Sequence, residues 1–115
     1  MLKKHLSEPW FSLVSLNKKK YEGRLNKGDF RDIKVNDIIE FYNDDFEIKR
    51  SCKMKVIKIR YFNSFKEMLR KCTLKKCLPT VITLEDGIKI YKKYYSEEQE
   101  KEFGIIAMKL TKLID

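Results

Sequence analysis

Along this chain the spacing of apolar positions switches repeatedly between the two-residue repeat of strands and the 3.6-residue repeat of helices. Lys3 to Ser7 predicts a short first strand. Pro9 then supplies the fixed φ favoured in a helix's first turn, with Trp10, Leu13, Val14 and Leu16 turned toward a core. Asn17, which tolerates left-handed backbone, is placed to end that helix before the charge run Lys18 to Lys20. Tyr21 to Leu25 predicts a strand carrying Gly23, and Leu25 to Asn36 a solvated loop. Asp37 to Tyr42 predicts the next strand, turned by Asn43, Asp44 and Asp45.

From Cys52 to Tyr61 the alternation changes parity. Met54 and Val56 share one face and Ile57 and Ile59 the other, so a β-bulge near Val56 and Ile57 is needed to keep one side apolar. Ser64 to Glu67 forms a capping box, and Phe65, Met68, Leu69 and Cys72 follow at helical spacing. A second helix starts at Thr83, with Leu84, Ile88, Tyr91 and Tyr95 inward and Lys89, Lys92 and Lys93 outward. Ser96 to Gln99 caps a further short turn, and Gly104 to Leu113 predicts a closing strand with Ile106, Met108 and Leu110 on one face. About five short strands mixed irregularly with helices describe an α+β domain around a small, partly closed sheet.

Composition adds direction. Over 115 residues, 26 Lys and Arg oppose 17 Asp and Glu, a formal charge of +9 that favours an anionic partner, of which nucleic acid is the commonest. The bland alternative is a lysine-rich composition spread over every surface. Apolar content of 43% suffices for one core, and no Pro/Gly/Ser-rich stretch divides the chain. No apolar run reaches the roughly 20 residues of a membrane span, and Met1 to Ser7 lacks a signal-peptide core, so a cytoplasmic protein is expected. Cys52, Cys72 and Cys77 form no C-x-x-C pair and His5 stands alone, so neither metal nor other cofactor is expected.

Chemistry concentrates between Asn17 and Arg24. Lys20, Glu22 and Arg24 would share one strand face, either as a solvated ion-paired surface or as part of a ligand cleft.

Here the residues resemble a known family. Glu8-Pro-Trp-Phe11, Lys18-Lys-Lys-Tyr-Glu-Gly-Arg-Leu25 and Ile33-Lys-Val-Asn-Asp-Ile-Ile-Glu-Phe41 are similar to the opening of an ASCH domain, with its G-x-K-x-x-E-x-R and K-x-G-D-x-I patterns. Ser64-Phe-Lys-Glu-Met-Leu69, Leu78-Pro79, Tyr94-Tyr-Ser-Glu-Glu98 and Gly104-Ile-Ile-Ala107 resemble later blocks, so the likeness spans nearly all of residues 1–115 as one domain. Asn17 and Asn36 stand where the family usually has glycine, and both tolerate left-handed backbone.

The resemblance implies a PUA-like mixed β-barrel of about five to six strands flanked by helices, with a cleft for RNA or a modified nucleoside. Lys19, Glu22 and Arg24 match its motif, Lys18 and Lys20 flank it, and Trp10 and Tyr21 are aromatic candidates for stacking a base. A lone Trp opening an amphipathic helix is more often a core residue.

The family also includes amidohydrolases of 4-acetylcytidine, whose strand resembles K-x-x-T-x-R, and RNA-cleaving members. In such an enzyme Lys19 and Glu22 would be the catalytic residues. Glu22 in place of threonine favours the charged form of Lys19, whereas a nucleophilic lysine must be neutral. Binding is therefore the primary expectation, and hydrolysis the alternative. A protein-interaction role would rest on Glu97 to Glu102 or on the Lys89 to Tyr95 face, and charge runs of that kind are ordinarily solvated.

Overall fold

The computed structural model describes residues 1–113. Five strands, β1 (Leu2–His5), β2 (Tyr21–Leu25), β3 (Ile38–Asn43), β4 (Arg50–Phe62) and β5 (Ile105–Lys112), form one curled sheet in the order β1-β3-β4-β5-β2. Only the β1–β3 pair is parallel, and the remaining neighbours are antiparallel. The α+β expectation and the small barrel-like sheet hold.

The bulge falls where the parity change requires it. The β4–β5 register slips between Val56 and Lys58, leaving Ile57 as the extra, exposed residue while Met54 and Val56 stay buried.

Two apolar clusters lie on opposite sides of the sheet. Inside the curl, α1 (Trp10–Ser15) sets Phe11 and Val14 against Ile39, Phe41, Met54 and Met108. On the other side, α2 (Phe65–Cys72), α3 (Leu74–Cys77) and α4 (Leu84–Lys92) bury Phe65, Met68, Leu69 and Tyr91 against Tyr21, Leu25 and Ala107. β5 is an interior strand with one apolar cluster on each face, which is why Ile105, Ile106, Ala107 and Met108 are all buried rather than alternating.

Local chemistry explains the helix ends. Ser64 accepts from the Glu67 N–H, Thr83 from Asp86, and Ser96 and Gln99 close a complete capping box that starts α5 (Glu97–Phe103), a helix rather than the expected turn. The expected loop after β2 contains a 3₁₀ turn, Gly28–Asp32, because Phe30 has an apolar site to fill. Leu16 does not face the core: it is 64% exposed, since Asn17 at φ 61° turns the chain away at the helix end. Asn36 is also left-handed, at φ 81°.

Gly23 favours close packing. A Cβ there would collide with the Met68 thioether, so the missing side chain lets α2 lie close on β2. Among the described residues no helix is long and apolar enough to cross a membrane.

Candidate functional site

The left-handed Asn17 folds the chain back over the end of α1, and the N–H groups of Lys18 and Lys19 both donate to the Leu13 carbonyl, at 2.9 and 3.0 Å. Of the three adjacent lysines, the middle one therefore turns inward. Lys19 is 2% exposed, and its Nζ donates to the Tyr21 carbonyl at 2.7 Å and to the Cys77 carbonyl at the end of α3. Its third neighbour is Glu22 Oε1 at 3.4 Å. An ammonium has three N–H groups, and all three have acceptors within the fold.

Glu22 is 5% exposed and lies between two cations, because Arg24 Nε donates to its Oε2 at 2.7 Å. Burial alone would raise the Glu22 pKa. Arg24 and Lys19 together outweigh burial and hold the carboxyl below the usual carboxylate range. Burial would likewise weaken Arg24's hold on its proton, and Glu22 more than offsets that. A triad of net charge +1 results, with Lys19 and Glu22 buried and Arg24 half-buried. Arg24 Nη2 also donates to the His5 carbonyl at 3.2 Å, tying β2 to β1 at the opposite edge of the sheet.

These groups line a cavity of about 320 Å³ between the two sheet edges and α4. Its floor is Lys19, Glu22, Gly23 and Arg24. Trp10, Tyr91, Tyr94 and Tyr95 contribute aromatic surface, and the β1 end and Leu78 complete the wall. Trp10 packs against both apolar clusters and also lines the cavity, with its ring 5.8 Å from Lys19 Nζ. Phe65 stacks on Tyr91 at 4.2 Å and on Tyr95 at 5.0 Å, fixing two cavity rings.

Burial raises the Tyr91 phenol well above its ordinary pKa, with the Glu22 charge adding to the effect, and burial raises Tyr95 as well. Both are neutral hydroxyls at pH 7. The Tyr91 hydroxyl has no hydrogen-bond partner among the described residues. Cys77 is pushed up to about 12 by burial, so it is no nucleophile at neutral pH.

Of the seven residues singled out by sequence, the cavity brings together Trp10, Lys19, Glu22 and Arg24. Tyr21 instead packs in the apolar cluster beneath α2, and Lys18 and Lys20 stay outside the cavity wall, Lys20 with its N–H bonded to the Lys76 carbonyl. Sequence reasoning missed Tyr94 as a cavity residue and took Tyr91 and Tyr95 only as helix-face residues. The Tyr94-Tyr-Ser motif was the available signal. It also missed an exposed cluster in which His5 Nε2 lies 3.0 Å from Asp45 Oδ1 and 3.4 Å from Asp44 Oδ1, the one grouping among the described residues with the makings of a metal site.

The ASCH domain family model matches residues 5–114. The chain belongs to the ASCH family. Two solved structures resemble this ASCH domain along nearly their whole length. The crystal structure of hypothetical protein PH0355 is 38% identical with a TM-score of 0.86, covering 97% of this chain and 98% of its own. The solution structure of protein PF0455 from Pyrococcus furiosus is 39% identical with a TM-score of 0.78, covering 97% and 96%. No curated protein matches the sequence.

Proposed function

We propose that this ASCH domain binds RNA or a nucleotide-like ligand by accepting one base into the cavity above Lys19, Glu22 and Arg24. The observation that carries this reading is a charged triad, two of its members buried, at the floor of an open cavity with aromatic walls. Buried ion pairs are replaced by apolar packing at little or no loss of stability, so fold stability alone does not call for one here. At about 320 Å³ the cavity is at the small end of the roughly 300–1,000 Å³ typical of ligand pockets, a size for one nucleoside rather than a length of strand. Glu22 accepts from base N–H groups, the free N–H groups of Arg24 donate to keto or phosphate oxygens, and an aromatic wall offers a stacking face.

The geometry weighs against acyl transfer by Lys19. Its Nζ is engaged by two carbonyls and Glu22, and a nucleophilic amine must be neutral with a free lone pair.

Trp10 is the chain's one tryptophan, so its fluorescence reports directly on the cavity. Nucleoside 5′-monophosphates and a single-stranded hexaribonucleotide should change that fluorescence saturably, and 4-acetylcytidine should release no acetate. A wild-type protein whose Trp10 signal ignores every one of these ligands would exclude the binding reading. Acetate release abolished by Lys19→Ala would make the domain an amidohydrolase.

A further inference from the structure

Two lysine runs far apart in sequence meet beside the cavity. The Lys20 N–H donates to the Lys76 carbonyl at 2.8 Å, and Lys19 Nζ reaches the next carbonyl, that of Cys77, so residues 18–20 lie against the end of α3. Lys19 turns inward as cavity floor, while Lys18, Lys75 and Lys76 are exposed and Lys20 is half-buried. Among the described residues none of these four side chains forms an ion pair.

The ridge adjoins the cavity on both runs. Lys18 and Lys20 flank the floor residue Lys19, and Lys76 is two residues before Leu78 in the wall. A patch of unpaired like charges repels itself, and an anionic partner relieves that repulsion. Several positive charges clustered beside a pocket for one base suit a sugar-phosphate backbone, which carries a charge at each nucleotide.

We infer that the ridge of Lys18, Lys20, Lys75 and Lys76 carries the phosphates next to the base held in the cavity, so the ligand is a single-stranded RNA and not a free nucleotide. This rests on the cavity reading above and adds the length and path of the ligand.

The experiment compares a nucleoside 5′-monophosphate with a single-stranded hexaribonucleotide by Trp10 fluorescence from low to physiological salt. It uses wild type, the double variant Lys75→Gln/Lys76→Gln, and Lys53→Gln/Lys55→Gln, which removes the same charge from β4. The ridge variant should bind the hexanucleotide roughly tenfold more weakly at low salt, with the slope of log affinity against log salt reduced by about 1.4. Its mononucleotide affinity, which draws on one phosphate at most, should fall much less than its hexanucleotide affinity. A hexanucleotide affinity that the ridge variant leaves unchanged, or that the β4 variant lowers equally, overturns the ridge while leaving the cavity standing. Wild-type indifference to both ligands removes the ridge and the cavity together. Thermal melts of all three proteins check that the substitutions leave the fold intact.

Discussion

Arg24 Nη2 donates to the His5 carbonyl at 3.2 Å, a bond that joins the two edge strands of a sheet in which β1 and β2 do not pair. The same guanidinium holds Glu22 through Nε at 2.7 Å. A lysine at this position has one nitrogen and no planar fork, so it cannot make both bonds in this geometry. Arg24→Lys should therefore destabilise the protein by about 1–3 kcal/mol in urea titration, despite conserving charge. A midpoint equal to wild type would mean that the edge-to-edge bond contributes nothing.

Glu22 sets an acid limit on stability. Its carboxyl binds a proton less readily folded than unfolded, so below the ordinary carboxylate pKa of about 4.3 the unfolded chain takes up more protons. The stabilisation from Glu22 is thus complete above that value and is lost as pH falls toward the lower folded pKa. Glu22→Gln removes the anion between buried Lys19 and half-buried Arg24 and should cost about 3–5 kcal/mol at pH 7. In melts from pH 7 down to pH 3, the gap between variant and wild type should narrow. A constant gap would assign the acid sensitivity to other carboxylates, among them Glu8, which burial would raise but hydrogen bonds from Ser12 and the charge of Arg50 hold low.

Tyr91 tests the reverse situation. Its hydroxyl is buried without a partner, an arrangement that costs about 1–3 kcal/mol relative to a satisfied one, while its ring is held by Phe65. Tyr91→Phe keeps the ring and removes only the orphaned group. Its Tm should equal or exceed that of wild type, and a clear fall in Tm would show that the hydroxyl is bonded in solution.

Much of the fold was legible because its signals are local. Ser64 with Glu67 and Ser96 with Gln99 mark helix starts by chemistry that needs no distant partner, and the parity change across Val56 to Ile59 locates the bulge. The four-residue α3 was not legible, since so short a segment carries no periodicity, and its place depends on Cys77 and Leu78 being drawn into the core. The site divides the same way. Glu22 and Arg24 sit at i and i+2 on a strand, so their common face could be read directly. Which of Lys18, Lys19 and Lys20 turns inward is decided by the carbonyls of Tyr21 and Cys77, and the second of these is 58 residues away. Tyr21 looked like a cavity aromatic, but strand alternation puts it on the Gly23 side, against α2.

The strand order also dictates a sequence of assembly. β2 pairs in the sheet only with β5, whose residues are the last of the five strands to be synthesised. Until Ile105 to Lys112 have left the ribosome, the segment bearing Glu22 and Arg24 has no strand to dock on. A growing chain therefore carries Lys19, Glu22 and Arg24 long before the strand that docks them, so the cavity floor assembles only once β5 has paired with β2.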